Sequence, residues 1–563
     1  MRHPKNRTLT LVAGLVAALV TPLAGVAADV DTAAAIRPEA LEGAVRFLAS
    51  DLLEGRAPGS RGDELARLYL EQELRRLGYR PGTADGSYQQ RFEMVGIDAT
   101  MPPTWSFRAG GRSVDLERSS DFIAASGVQS ERSRIEDAEL VFVGYGIEAP
   151  EYGWDDFKGA DLRGKVLLML NNDPDWDDAL FAGDRRLYYG RWTYKYESAA
   201  RQGAVGAILI HTTPSAGYPW KVVQSSWTGE QFELPAREGE ARLQVAAWTT
   251  EEATRRVLAA AGQDLDVLVA SARSSDFRPV PLGVTTRLEL DNRLHRVQTA
   301  NVLGLLPGSD PSLADQVVVY TAHHDHLGVG EPDEHGDRIR NGAVDNATGC
   351  AQLLAIAEAF ARRPQAPRRS ILFAFVAAEE QGLLGSAYYA AHPTFPPGKI
   401  AANVNLDAGN VFGRTRDVTY IGYGKSSLDA VIERHAREQG RVVRGDHFPD
   451  RGFFYRSDQF NFAKIGVPAL YIDGGVEFVG KSPEFGQRAQ QRYESSCYHQ
   501  PCDEIGADWD LTGLAEDTEL AFACGLEVAN ANALPTWNPG DEFEAARRAA
   551  LALAASAESG AAR

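Results

Sequence analysis

The spacing of apolar and polar residues changes twice along this chain. In "RPEALEGAVRFLASDLLEGRAPGSRGDELARLYLEQELRRLGYRPG", apolar residues recur at helical spacing around Leu41–Leu53 and again around Leu65–Leu77. The turn-rich break "EGRAPGSRG" separates them. Two helices are expected here, carrying no chemistry. From about Asp137 the pattern becomes strand-like: "AELVFVGYGIEAP", "GKVLLML" and "AVGAILIHTT" read as buried strands, with "YKYESAARQG" as a helix among them. This block runs to about Pro281 and holds no cluster of His, Cys or acids. Its aromatic segment "GYPWKVVQSSWTGEQFEL" reads as hydrophobic cover or as an exposed loop. From about Leu282 to Leu534, strand-like runs alternate with long helical patterns, the rhythm of a mostly parallel central sheet flanked by helices. The tail "GDEFEAARRAALALAASAESGAAR" has an Ala-rich helical stretch.

The expected class is therefore α/β: a main block with a parallel sheet and a smaller inserted α/β block. The expected division is 1–28, a leader; 29–136, an N-terminal helical part of the main domain; 137–281, the insert; 282–535, the main block; and 536–563, a helical tail. A length of 563 residues fits two or three domains. The 44% hydrophobic and 24% charged content is that of a globular chain, so disorder is not the default. A net charge of −19 without basic runs argues against nucleic acid or an anionic membrane surface as partner.

The start, "MRHPKNRTLTLVAGLVAALVTPLAGVAADVDTAA", has a basic beginning, an apolar run from about Leu9 to Leu23, and small residues near Ala27 and Ala28. This is the layout of a cleaved secretory signal. No later stretch approaches the ~20 apolar residues of a spanning helix. An exported protein, periplasmic or secreted, without stable membrane insertion is expected. Of four cysteines, Cys497 and Cys502 are close enough in "SSCYHQPCDE" for a short disulfide loop in an oxidising compartment. Cys350 and Cys524 lie in apolar helical patterns and read as buried thiols.

Candidate chemistry gathers where strands of the main block end. "QVVVY" runs into "TAHHDH", "SILFAFVA" into "AEEQG", and "ANVNL" into Asp407. Open α/β sheets bind ligands outside those carboxyl ends. Two further segments join them. Asp345 precedes a strong helix in "NGAVDNATGCAQLLAIAEAFARR", where an N-cap is the plainer reading. His499 sits in "SSCYHQPCDE", where a surface histidine is the plainer reading. Taken with the strand ends, His323, Asp345, Glu380, Asp407 and His499 form a mixed N/O set suited to zinc or a similar first-row ion. Five ligands exceed one tetrahedral site and fit two ions sharing a carboxylate, which can activate one water. Glu379, beside a ligand, is placed to take that water's proton.

"AHHDHLG", "GAVDNATG", "AAEEQGLLGS", "NLD" and "YHQPCDE" resemble, in order and spacing, the motifs of the co-catalytic zinc aminopeptidases. These are the bacterial leucyl-type enzymes, whose relatives include glutamate carboxypeptidase. "VFVGYGI" and "GRWTYKYESAARQGAVGAILIH" give the 137–281 block a likeness to the protease-associated domain often inserted in that family. The resemblance implies two zinc ions: His323 and Asp407 on one, Glu380 and His499 on the other, Asp345 bridging. It makes Glu379 the general base and later the acid. It has Asp325 hydrogen-bond the His323 imidazole and Tyr498 stabilise the oxyanion. It gives His324 and His326 no role, so both read as partly exposed loop histidines. Ser457 and Asp458 read as pocket-shaping residues or as a turn. Val344 stands where an acid is common and "NLDAGN" departs from the usual apolar continuation, but no ligand is lost. The implied activity is hydrolysis of N-terminal residues from peptide substrates. A carboxypeptidase or dipeptidase on the same scaffold is the alternative. A single-zinc glutaminyl cyclase or a metal-free binding protein is disfavoured by the complete ligand set.

Overall fold

The structure is a computed structural model that describes residues 35–177 and 180–561, together with residue 1. The leader expected at 1–28 lies outside the described residues apart from residue 1. The largest sheet among the described residues has two regions, and one strand runs through both. That strand, β1 (Val280–Leu306), pairs antiparallel with Arg132–Phe142 at its start and with Gln89–Thr100 along its middle. Its end, Val302–Leu306, pairs antiparallel with the main sheet.

The main sheet is made of β2 (Val317–His323), β3 (Ser370–Val376), β4 (Ile400–Asn405), β5 (Asp417–Ile421), β6 (Val442–Gly445) and β7 (Ala469–Asp473). Its order is β1–β3–β2–β4–β7–β5–β6, and β3, β2, β4 and β7 are mutually parallel. Every residue of β2, β3 and β4 is buried, as expected of parallel strands covered on both faces. Alternation along β2 divides the core. Val318, Tyr320 and Ala322 pack under the helices α1 (Pro38–Leu48), α3 (Thr348–Ala361) and α4 (Thr512–Asn530), while Val317 and Val319 pack on the other face with Tyr389 and Phe462. Between α1 and α3 in the chain, α2 (Arg61–Arg76) adds Ala66, Leu70 and Leu74 to the first of these cores.

The helical expectation for 29–136 is corrected beyond Arg76. Residues 89–100, 104–109, 112–117, 122–126 and 132–142 are strands, and alternation of buried and exposed positions in "TWSFRA" is the local reason. The second core accordingly draws on residues from Met101 onward, well before Asp137. It is closed by strands 166–170, 206–211 and 245–250, with Leu140 and Phe142 facing one side and Val141 and Val143 the other. Among the described residues no helix is long and apolar enough to cross a membrane.

Candidate metal centre

Register brings the strand ends together. His323, the last residue of β2, lies opposite Val376, the last of β3, and Thr321 lies opposite Asn405, the last of β4. Glu379, Glu380 and Asp407 therefore emerge at the same edge. The chain turns sharply after each strand, with Ala378 and Ala408 in the left-handed region. Asp345 comes from an irregular turn, Ala343–Ala347, that leads into α3; its peptide bond to Asn346 is cis. His499, at φ +61°, comes from a loop closed by a Cys497–Cys502 disulfide. Cys350 and Cys524 are buried free thiols.

All five expected ligands converge. His323 Nε2 lies 3.1 Å from Asp345 Oδ1 and 3.1 Å from Asp407 Oδ1. His499 Nε2 lies 3.3 Å from Asp345 Oδ2 and 3.0 Å from Glu380 Oε2. The two oxygens of Asp345 thus face different histidines. His499 Nε2 and Glu380 Oε1 are buried yet make no hydrogen bond despite their close neighbours. Polar atoms crowded together without bonding one another suit donors aimed at a shared cation, and the N/O set suits zinc. The residues fit the metal.

The protein's own charges polarise the site. Burial would lower the His323 imidazole, but the carboxylates of Asp407 and Glu379 and its contacts with Asp345 hold it well above the usual range. Burial likewise opposes His499, and Glu380 and Asp345 raise it to about 10. A cation entering the cluster competes with these protons. The adjacent glutamates are driven apart. Burial pushes Glu379 well above the usual carboxylate range; His323 opposes this, while Asp407, Glu380 and Asp458 reinforce it. Glu380, against its burial, is brought down to about 2 by His499 and His326. The two neighbouring carboxyls thus shift in opposite directions.

Three expectations about the surrounding residues change. The Asp325 carboxylate is 3.9 Å from His323 Nδ1, too far for the expected hydrogen bond, and the imidazole faces the Asp325 backbone carbonyl at 3.3 Å. The carboxylate instead accepts the Glu379 N–H at 3.1 Å and the Glu380 N–H at 3.4 Å. It holds the turn rather than the ring, because the part-buried amides of that turn are nearer and need an acceptor. His324 and His326, expected to be partly exposed, are 1% and 0% exposed. His324 Nε2 pairs with Asp63 Oδ1 at 3.1 Å, and His326 Nδ1 lies 2.6 Å from Glu380 Oε1. Single ligand atoms of His326, Asp345 and Glu380 also lie within 4.8 Å of one another. Tyr498 reaches the cluster with its ring stacked on His499, centroids 3.8 Å apart.

Several supporting residues carry no local signature of their role. Asp503 accepts the N–H of Val344 at 2.9 Å and of Asp345 at 3.1 Å. Asn346 donates to the Leu406 carbonyl at 3.0 Å and accepts the Ala408 N–H at 3.2 Å, joining the Asp345 turn to the Asp407 turn. Ser457 donates to Asp407 Oδ2, and Tyr471 donates to the Asp407 carbonyl at 3.2 Å. Asp503 lies inside "YHQPCDE" and Asn346 inside "GAVDNATG", so both motifs held the signal without declaring it.

The chain is similar to several known proteins. The chain is 24% identical over 248 residues to leupeptin-inactivating enzyme 1 of Streptomyces exfoliatus, covering 43% of this chain and 51% of that protein. It is 27% identical over 223 residues to an aminopeptidase of Pseudomonas aeruginosa, covering 37% of this chain and 38% of that protein. The matches thus span about half or less of these curated relatives. Among solved structures it is similar to an aminopeptidase from Aneurinibacillus sp. strain AM-1, at 19% identity, covering 89% of this chain and 96% of that one, with a TM-score of 0.48. The model of peptidase family M28 matches residues 301–523, a span that contains His323, Asp345, Glu379, Glu380, Asp407 and His499.

Proposed function

We propose that this protein is an exported, two-zinc exopeptidase that removes N-terminal residues from peptides. The observation that carries the reading is Asp345, whose two oxygens face His323 and His499, beside a Glu379–Glu380 pair shifted in opposite directions. His323 and Asp407 would hold one ion, Glu380 and His499 the other, with Asp345 between them. Bound there, zinc would supply Lewis-acid polarisation and a water acidified toward neutral pH.

The chain's own residues do the rest. Glu379 takes the proton of the attacking water on its carboxylate and returns it to the leaving nitrogen. Asp325 holds that glutamate's backbone in place through its amide. Tyr498, stacked on His499, is the residue placed to donate to the developing oxyanion. The curated relatives named aminopeptidases favour a free N-terminus as the feature recognised. Export is supported by the signal-like start and by the Cys497–Cys502 disulfide, which suits an oxidising compartment.

The test pairs zinc analysis of purified protein with hydrolysis of free and N-acetylated aminoacyl substrates. Two zinc ions per chain, with cleavage of the free-amine substrates alone, is the expected result. Two ions without that cleavage would move the assignment to a carboxypeptidase or dipeptidase. No zinc uptake and no hydrolysis would overturn the reading.

A further inference from the structure

The N-terminal break "EGRAPGSRG" delivers a buried guanidinium to the back of the metal centre. Glu54, Gly55 and Arg56 are successive left-handed residues, at φ +49°, +67° and +52°. Side chains rarely adopt this conformation, and runs of it are held in place only by their surroundings. Gly55 has no alternative, because a Cβ there would sit 2.4 Å from the Arg340 carbonyl oxygen. The turn directs Arg56 inward, where it is 1% exposed.

No carboxylate pairs with Arg56 among the described residues. Its guanidinium is spent on backbone carbonyls. Nε donates to His324 at 2.8 Å, Nη1 to Asn341 at 2.6 Å and also to Leu48, and Nη2 to Gly342 at 3.0 Å. Its own carbonyl accepts the His326 N–H at 3.4 Å. Arg56 therefore brackets Asp325 and grips both segments that present ligands: the one following His323 and the one leading into Asp345. Seven residues on, Asp63 completes the strut. Asp63 Oδ1 meets His324 Nε2 at 3.1 Å, and Arg67 Nε donates to that oxygen at 3.0 Å. Asp63 Oδ2 accepts from Thr299 Oγ1 and from the Gly59 N–H, both at 2.9 Å. A buried cation is costly, and one shared among carbonyls of two loops sets the distance between them.

We propose that Arg56 is a positioning residue of the metal centre, fixing the spacing between the His323 loop and the Asp345 turn through their backbone carbonyls. This rests on the two-zinc reading of the site. A lysine cannot replace it, since an ammonium lacks the planar fork that spans four carbonyls.

The experiment compares the full-length protein with its Arg56→Lys and Arg56→Met variants. The readouts are zinc affinity by chelator competition, the zinc-induced rise in Tm, the visible spectrum of the cobalt-loaded protein, and steady-state kinetics. The expected result for both variants is zinc affinity about tenfold to a hundredfold weaker and a smaller zinc-induced Tm rise. An altered cobalt spectrum and a fall in kcat with little change in KM should accompany these. Unchanged affinity and cobalt spectrum would overturn the assignment. So would a lower Tm of the metal-free variants with the zinc increment intact, or failure of both variants to fold even with zinc; either would leave Arg56 as a residue of general stability. A lack of zinc uptake by the unaltered protein would overturn the metal reading itself and this inference with it.

Discussion

Replacing Asp325 by asparagine separates two ways in which this residue could serve the site. Its buried carboxylate accepts two amide N–H groups of the turn that carries Glu379 and Glu380. Hydrogen bonds to a charged acceptor are worth about 1.5–3 kcal/mol each. Asparagine keeps one acceptor for the Glu379 N–H, at 3.1 Å in the native protein. It then turns an amide donor toward the Glu380 N–H. One charged bond is lost and a buried donor is left unsatisfied, at about 1–3 kcal/mol for the latter. Burial holds the Asp325 carboxyl above its usual range, so removing the charge offsets part of this. A net loss of about 1–4 kcal/mol follows, concentrated at the turn.

Misplacing that turn moves the proposed base relative to the ligands, and losses of about tenfold to a hundredfold are usual for residues supporting a metal site. Asp325→Asn should therefore lower kcat on an aminoacyl p-nitroanilide by that factor, lower Tm by a few degrees, and leave zinc content at the native level. Native kcat and Tm in this variant would refute the reasoning. Loss of zinc with an undiminished rate per zinc-loaded molecule would show that the carboxylate acts through the His323 imidazole after all.

Glu379→Gln should keep the fold and the bound zinc while kcat falls about a hundredfold to ten-thousandfold, the usual worth of a general base; zinc analysis beside kinetics checks this. Lys425 is buried with Asp541 at 2.8 Å and Glu542 at 2.9 Å, and Glu542 also accepts the Tyr188 N–H from the second core's side of the molecule. Lys425→Met should cost about 3–5 kcal/mol in denaturant unfolding, because it strands two buried carboxylates. Burial would lower the Lys425 ammonium, but Glu542 and Asp541 together hold it above its usual value. Its stabilising contribution is thus complete below about pH 10.4 and is lost as pH rises through the higher folded value. The stability gap between native protein and Lys425→Met should shrink as pH rises through that alkaline window. Paired Cys497→Ser and Cys502→Ser changes should cost about 2 kcal/mol for so short a loop, and should make one of the two zinc ions easier to remove by dialysis against a chelator.

Much of the site was legible because its pieces are local. His323, Glu379, Glu380 and Asp407 each follow a mostly apolar, strand-like run, and such runs end where an open sheet binds its ligands. The supporting residues were not legible in this way. Arg56 reaches the His324 carbonyl across 268 positions and Asp63 reaches the His324 ring across 261, so neither leaves a trace in nearby spacing. The first strands after Arg76 are equally hidden in the sequence. Their apolar residues alternate within short segments, and the strands become recognisable only beside the 27-residue β1 on which they pair.

By itself, then, the sequence determined the α/β class, the buried parallel strands and the identity of the ligand-type residues, since periodicity and side-chain chemistry are carried by neighbours in the chain. Tertiary structure alone decided the rest. Register set His323 against Val376 and Thr321 against Asn405, bringing three strand ends to one edge. The demand of part-buried amides for an acceptor turned the Asp325 carboxylate to Glu379 and Glu380 instead of to the imidazole. Packing against α2 and the Glu54–Arg56 turn buried His324 and His326, because whether a polar residue meets water depends on what folds over it.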